Sequence, residues 1–429
     1  MKRLIKLIVF VLIFISCQSE RNEIVFRETR YIDISVSPFI SSIHKLSGSD
    51  KEKAISDLLR KGEEKGFPLV EIDSLYPDNV FITFIYVDKT HKHDILVEVF
   101  GTYDEPRFGD RKLYRLDGTD IYYRSYMVPD DLCFSYRFIL NDKVTGNKQV
   151  ITDPVNKELI PTGERKGYSW SVLDLRKKET DWYTKRFDNV GSRLDTFKIT
   201  SSLLNNIRNI YVYLPPEYDN TDKDYPVIYL FDSFIYLNRV EVPNVLDNLI
   251  HTNEIEPMIA VMIDNPTSTS RKYELPLNPL FKDFVVMELV PYIKDKYKIT
   301  DRPEETIIGG MSYGGLASAY IAFHCDSVFG KVLSQSGSFW RGLEVNDING
   351  IEYRGDWLIN KYLVEENKNL KIFLDWGLQE DWCLSSGRRM TRALHNKGYP
   401  YKFVEFNGWH DWSNSRKTFP EGLLYLLKD

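Results

Sequence analysis

The sequence predicts two folded units: an antiparallel β-sandwich, then an α/β unit whose mostly parallel sheet is covered by helices on both faces. The first observation behind this is length, because 429 residues exceed one ordinary domain. The second is a period-two apolar pattern between residues 81 and 140. The third is the alternation of short β-branched runs with helical segments from residue 197 onward.

Residues 1–16 have the pattern of a secretory signal peptide. Lys2, Arg3 and Lys6 form a basic start, and residues 7–15 are an apolar run too short to span a bilayer. Cys17 directly follows a small residue, as in a bacterial lipoprotein cleavage site. We therefore expect a chain lipidated at Cys17 and anchored in the cell envelope as a periplasmic or outer-membrane lipoprotein. The alternative is an ordinary signal peptide with an incidental cysteine.

Composition excludes several classes of function. A net charge of −6 and a pI near 5.8 argue against a nucleic-acid partner. Cys133, Cys325 and Cys383 are too few and too irregularly spaced for a disulfide framework or a zinc site. We expect no metal and no cofactor.

The first unit is predicted to span residues 76–190, including a polar linker at its end, after a tether and extension over residues 17–75. No cluster of candidate catalytic residues occurs in it. Its alternating apolar runs, separated by turn-forming residues, are 81–87, 94–100, 122–128 and 134–140.

The second unit is predicted to span residues 191–429. In a largely parallel sheet the functional site lies at the carboxyl ends of the strands. A helix over 281–298 is expected to kink at Pro291. The predicted strands are 209–215, 226–232, 258–264, 306–310, 331–337, 371–377 and 402–408.

Gly310-x-Ser312-x-Gly314 follows one of these strands and opens a small-residue helix. This is the sequence context of a nucleophile elbow, in which a tight turn exposes the serine hydroxyl at the strand end. Glycine at both flanking positions would remove Cβ atoms from a crowded turn. The backbone N–H of Tyr313 could then stabilise an oxyanion, and the second donor should come from Asp232, Ser233 or Phe234.

A serine nucleophile needs a base, and an acid to orient that base, in the order serine, acid, histidine. Among the histidines after Ser312, His324 is too far along the helix and His395 is on a helix surface, whereas His410 follows a strand and a glycine. The acid is expected from the loop after the strand 371–377. Glu380 and Asp381 both occur there and stay open as alternatives.

Several segments together resemble the enterochelin (ferric enterobactin) esterases, within an esterase-D-like group that also contains feruloyl esterases. The resemblance implies an α/β-hydrolase domain preceded by an immunoglobulin-like domain, with Ser312 as nucleophile, His410 as base and Glu380 as acid. Ser233 departs from the glycine usual in that family. The segments that carry the resemblance are RNIYVYLPPEYD, YLFDS, RKYELPLNPLF, ELVPYIKDKY, GGMSYGG, LSQSGSFW and GWHDW.

The resulting hypothesis is a serine esterase that acts through an acyl-enzyme on a small-molecule ester, of the ferric siderophore type. Arg208 and Arg271 are expected to supply positive charge, and Trp340 and Trp409 stacking surfaces. The tryptophans suit a feruloyl or acetyl ester of a polysaccharide fragment equally well. A third possibility is a non-catalytic binding protein that uses its β-sandwich.

Overall fold

The computed structural model describes residues 24–28, 32–34, 36–100, 109–161, 169–176, 183, 191–347 and 350–428. The predicted signal peptide and Cys17 lie outside these ranges. None of the helices within them combines the length and the hydrophobicity needed to cross a bilayer.

The described part of the N-terminal unit consists of two antiparallel sheets, a short helix and a longer helix of 18 residues. One sheet has the order β1-β6-β3-β2 with β5 beside β6, and the other β4-β7-β10-β9 with β8 beside β7. The elements are β1 Asp33–Ile34, α1 Pro38–His44, α2 Gly48–Lys65, β2 Leu69–Ile72, β3 Asn79–Val87, β4 His93–Val99, β5 Tyr114–Arg115, β6 Ile121–Pro129, β7 Cys133–Asp142, β8 Lys148–Ile151, β9 Leu159–Pro161 and β10 Ser169–Asp174.

The two sheets share one core, because alternate side chains of each face the other sheet. Phe84 of β3, for example, meets Tyr136 of β7 edge to face at 4.9 Å. The unit begins earlier than the predicted boundary at residue 76. β1 and β2 extend the first sheet, and Ile40, Ile43 and Leu58 of the helices pack against it. Much of the segment expected to be an extension is therefore part of this fold.

The C-terminal unit is an eight-stranded sheet with helices on both faces. Its strands are β11 Arg193–Ser201, β12 Asn206–Leu214, β13 Val227–Phe231, β14 Ile259–Ile263, β15 Thr306–Met311, β16 Lys331–Gln335, β19 Lys371–Gly377 and β20 Tyr401–Phe406, with a separate hairpin of β17 Leu343–Asp347 and β18 Gly350–Arg354. Its α-helices are α3 Ser233–Asn238, α4 Val242–His251, α5 Ser268–Glu274, α6 Pro279–Asp283, α7 Val290–Lys296, α8 Tyr313–His324, α9 Trp357–Val364, α10 Asp381–Lys397 and α11 Trp412–Leu427.

The strand order is β11-β12-β14-β13-β15-β16-β19-β20, and pairing is parallel from β14 to β20. β13 and β14, near the middle of the sheet, are apolar and buried throughout because both faces of the sheet are covered. The predicted helix over 281–298 exists as α6, a π-helical segment Phe284–Leu289, and α7, with the irregularity just before Pro291. The carboxyl ends of β13, β15, β16, β19 and β20 lie along one edge, and the loops that leave them build the site.

Candidate active site

Ser312 occupies the turn between β15 and α8 with φ 60° and ψ −119°, a conformation that strains a non-glycine residue. The turn is held because Ser312 donates its N–H to the carbonyl of Gln335 at 2.9 Å. A Cβ added to Gly310 would lie 2.6 Å from the carbonyl carbon of Gly314, so this glycine is sterically required. A Cβ added to Gly314 would lie 3.5 Å from the nearest atom, Phe231 Cβ, which is an ordinary contact distance. The expectation that this position also requires glycine is therefore not supported.

His410 lies in the loop after β20, and its Nδ1 is 2.7 Å from Glu380 Oε2. Glu380 is itself fixed, because its Oε1 accepts hydrogen bonds from the N–H of Gly377 at 2.8 Å and from Ser336 Oγ at 2.7 Å. Its side chain is 1% exposed, whereas that of His410 is 26% exposed toward the cleft. The structure therefore pairs the imidazole with Glu380. Asp381 is exposed at the first turn of α10.

The electrostatics of the pair favour the protonated imidazole. Burial alone would lower the pKa of His410, but the adjacent Glu380 carboxylate, together with Cys383, raises the pKa of His410 well above its ordinary value. Deeper in the sheet, burial raises the pKa of Asp375 to about 7. Asp375 Oδ1 accepts a hydrogen bond from the N–H of Ser336 at 2.9 Å and so supports the residue that holds Glu380.

Ser312 and His410 line the same cleft, of about 610 Å³. Within the described part of the chain, Ser312 Oγ hydrogen-bonds Ser338 Oγ at 3.2 Å and forms no hydrogen bond with the imidazole. A serine side chain reorients by rotation about a single bond, and catalytic hydrogen bonds often tighten only when substrate is bound. Ser338 Oγ is therefore the hydrogen-bond partner of the Ser312 hydroxyl in this structure.

The β13–α3 loop abuts the elbow, since a Cβ on Gly314 would lie 3.6 Å from Asp232 Oδ2. Asp232 has φ 64° and precedes α3, and Ser233 is the first residue of that helix. Tyr313 is likewise the first residue of α8. The N–H groups at such positions lack intrahelical acceptors, which makes those of Tyr313 and Ser233 suitable oxyanion donors.

Arg271 lines the cleft, and its guanidinium group forms an ion pair with a carboxylate of the β13–α3 loop. Its Nε and Nη2 bond the two carboxylate oxygens of Asp232 at 2.6 and 2.8 Å, and Asn265 also donates to that carboxylate. Such a bidentate pair fixes geometry as well as charge. Arg271 therefore orients the loop that carries Ser233.

The prediction that Arg208 contacts substrate is wrong. Its side chain is fully buried in β12, where it pairs with Glu274 at 3.0 Å and lies 4.5 Å from the ring of Phe284. Two further arginines of the C-terminal unit, Arg388 and Arg389, are likewise paired with carboxylates, those of Glu405 and Asp356.

The prediction that Trp409 offers a stacking surface is also wrong. The side chain is 1% exposed and belongs to the core of the N-terminal unit. Trp340, by contrast, lines the cleft and meets the 73%-exposed Trp382 edge to face at 6.2 Å. Of the two predicted tryptophans, only Trp340 is placed to touch a substrate.

Several residues of the site were not identified from the sequence, among them Ser336, Ser338, Cys383 and Phe100. The two serines occur in LSQSGSFW, at the carboxyl end of a predicted strand, which was an available signal. Cys383 lies one helical turn after Glu380, with Sγ 3.9 Å from His410 Nδ1. Phe100 comes from the N-terminal unit and lines the cleft, which no local pattern could indicate.

Glu380, Cys383 and His410 are also the described residues whose donor atoms cluster as metal ligands would, all within 4.8 Å of one another. The imidazole and carboxylate already bond each other directly at 2.7 Å, which satisfies both groups without an ion. The arrangement fits an acid–base pair.

Comparisons with known proteins identify an esterase family. The family model Esterase, described as "Putative esterase", matches residues 201–426, more than half of the chain. The iron(III) enterobactin esterase of Escherichia coli K12 is 28% identical over 282 residues, which cover 65% of this chain and 68% of that protein. The iron(III) enterobactin esterase of Dickeya dadantii is 25% identical over 403 residues, covering 84% and 90%.

Solved structures share the fold. The ferric enterobactin esterase of Salmonella typhimurium matches with a TM-score of 0.73 and 21% identity, over 86% of this chain and 98% of that one. The enterobactin esterase of Shigella flexneri, crystallised in the presence of enterobactin, matches with a TM-score of 0.69 and 23% identity, over 89% and 98%. The chain belongs to the "Putative esterase" family and is a carboxylic ester hydrolase.

Proposed function

We propose that the chain hydrolyses its ester substrate through an acyl-enzyme on Ser312, and that the substrate is a ferric siderophore of the enterobactin type. One observation carries the mechanism: His410 Nδ1 lies 2.7 Å from the buried Glu380, beside a strained serine that lines the same cleft. A serine, a histidine and a carboxylate that orients the histidine are the groups that nucleophilic acyl transfer uses.

The steps follow from the placement of each group. His410 Nε2 takes the proton of Ser312 Oγ, which attacks the ester carbonyl while the N–H groups of Tyr313 and Ser233 stabilise the oxyanion. Glu380 stabilises the imidazolium that forms. The tetrahedral intermediate collapses, and the leaving alcohol takes the proton from His410. Water then attacks the acyl-enzyme with His410 as base, which releases the acid and restores Ser312.

Support for an aromatic, anionic substrate comes from the cleft wall. Rings of five residues line it, as do the cations Lys272 and Arg271, the latter paired with Asp232. Aromatic rings stack on aromatic acyl groups, and cations attract a negatively charged iron complex. The names of the relatives from Escherichia coli and Dickeya dadantii specify iron(III) enterobactin. The rings belong to Phe100, Tyr313, Trp340, Trp382 and Trp412.

Incubation with three esters tests the substrate. We expect ferric enterobactin to be cleaved to fragments that have each gained water at an ester bond, detected by mass spectrometry, with methyl ferulate and acetylated xylan cleaved far more slowly. The Ser312→Ala protein is the blank. Preferential cleavage of methyl ferulate or acetylated xylan would replace the siderophore with a polysaccharide ester, and turnover of none of the three would contradict the substrate proposal.

We also propose that Cys17 is lipidated and anchors the protein in the cell envelope. The basic start, the short apolar run and the position of the cysteine after Ser16 support this. Cells fed radiolabelled palmitate should label the wild-type protein and not the Cys17→Ala variant. Equal labelling of both, or labelling of neither, would contradict the anchor.

The N-terminal unit is proposed to be immunoglobulin-like. Its two antiparallel sheets with a shared core support that class. A crystal structure with strand connections incompatible with the immunoglobulin topology would contradict it.

A further inference from the structure

The short loop that carries His410 is held by the N-terminal unit. We call residues 407–411, between β20 and α11, the base loop. Its first half runs beside the start of β7, where Cys133 donates its N–H to the carbonyl of Asn407 at 3.1 Å and pairs with Gly408 in a parallel bridge. Asn414, in the first turn of α11, donates to the carbonyl of Cys133 at 3.2 Å. The chain is therefore tied to β7 on both sides of His410, through the backbone before it and through the Asn414 side chain after it.

The residue after His410 is anchored in the same strand. Asp411 is 1% exposed, and its Oδ2 accepts hydrogen bonds from the N–H of Ser135 at 2.5 Å and from Ser135 Oγ at 2.8 Å. Its other oxygen caps α11 through the N–H of Ser413 at 3.0 Å. Burial raises the pKa of Asp411, and these donors counteract that rise by stabilising the carboxylate. A buried carboxylate with three donors is a rigid attachment point.

The residue before His410 is anchored in the core of the N-terminal unit. Trp409 is 1% exposed and packs edge to face against Phe134 of β7, with ring centroids 5.8 Å apart. Trp409 and Asp411 thus both engage the N-terminal unit, whereas His410 between them lines the cleft. The orientation of the imidazole follows from that alternation.

Ser135 links the base loop to the cleft wall as well. Its carbonyl accepts the N–H of Phe100 at 2.9 Å, while its own N–H and hydroxyl hold Asp411. One buried residue of β7 therefore supports both the aromatic wall and the segment that carries the base.

We infer that the N-terminal unit positions the general base, and that Ser135 acts as a positioning residue through Asp411. The inference rests on the proposed serine mechanism. Its physical basis is that catalysis depends steeply on geometry, since a displacement of about 1 Å at a reacting group can cost about 10²-fold in rate. The N-terminal unit is then a working part of the esterase even for substrates too small to touch it.

The test compares two buried serines of the N-terminal unit, each 2% exposed. Ser135→Ala removes the hydroxyl bond to Asp411. Ser125→Ala is the matched control. It removes a hydroxyl hydrogen bond between Ser125 of β6 and Thr83 of β3, which belong to the sheet that does not contain Ser135. With p-nitrophenyl acetate we expect Ser135→Ala to lower kcat by about 10–100-fold with KM nearly unchanged. Ser125→Ala should stay within about two-fold of wild type.

Further measurements separate positioning from loss of folded protein. Ser135→Thr, which keeps a hydroxyl, should restore most of kcat. The rate of fluorophosphonate labelling of Ser312 should fall in parallel with kcat, and the acidic limb of the kcat/KM profile should shift, because the imidazole moves relative to Glu380. Asp411→Asn provides a second disruption of the same contact, and thermal melts should show both variants folded.

Wild-type kcat and an unshifted pH profile in both Ser135→Ala and Asp411→Asn would overturn the inference. So would an equal loss of kcat in Ser125→Ala. Those results would leave the serine mechanism untouched provided that Ser312→Ala is inactive. An active Ser312→Ala would instead remove the mechanism on which the inference rests, so the two failures are distinguishable.

Discussion

Replacement of Ser312 by alanine is expected to reduce kcat for ester hydrolysis by at least about 10⁴-fold. The hydroxyl is the only group that the proposed mechanism joins covalently to the substrate, and its loss leaves only binding and the oxyanion donors. KM should change little, because the replacement removes one hydroxyl and keeps the other residues that line the cleft. Steady-state turnover of p-nitrophenyl acetate measures the effect, and peptide mapping of the trapped acyl-enzyme by mass spectrometry identifies the acylated residue.

Ser338→Ala is the matched control for this change. Its hydroxyl lies 3.2 Å from that of Ser312, but it has no covalent part in the proposed steps. We expect a loss of less than about ten-fold, since a single neutral hydrogen bond contributes about 1 kcal/mol. Turnover by Ser312→Ala close to the wild-type rate would contradict the serine mechanism.

Replacement of Glu380 by glutamine is expected to reduce kcat by about 10²–10⁴-fold, by analogy with triads whose acid is converted to its amide. The amide can neither stabilise the imidazolium nor enforce the tautomer in which His410 Nδ1 carries the proton. Glu380 is also buried and accepts hydrogen bonds from Gly377 and Ser336. The replacement therefore places an NH₂ group in a site where acceptors are needed.

The pH profile gives this variant a second signature. The base must be neutral, so wild-type kcat/KM should rise as pH increases through the pKa of His410, which its neighbours hold above the ordinary value. Without the negative charge at residue 380 that pKa falls. The acidic limb should therefore move to lower pH while the plateau falls. Asp381→Asn, which changes an exposed carboxylate beside Glu380, should leave both unchanged. The reverse result would make Asp381 the orienting acid.

The predicted strands agree closely with the structure where hydrophobic pattern alone decides. The runs at 81–87 and 122–128 lie within β3 and β6, and 306–310 lies within β15. The elbow was predictable because its determinants are local: a buried strand, a glycine that excludes a Cβ, and a helix that begins at the next residue. The order serine, acid, histidine then restricted the partners to loops after two later strands.

The errors share a different cause. Arg208 and Trp409 both lie close in sequence to strand ends, but side chains alternate between opposite faces of a strand or loop. The side chain of Arg208 faces the interior and pairs with Glu274, and Trp409 packs in the core of the N-terminal unit. Composition cannot tell a cation that awaits a substrate from one that already has a partner.

The amino-acid sequence by itself indicated the individual strands and the serine turn, because each depends on residues near one another along the chain. Only the tertiary structure decided that Glu380 faces the imidazole, that Arg271 binds Asp232, and that Ser135 holds the loop of His410. Those contacts join residues 30 to 276 positions apart. Their formation depends on how separately folded elements pack, which periodicity and spacing do not encode.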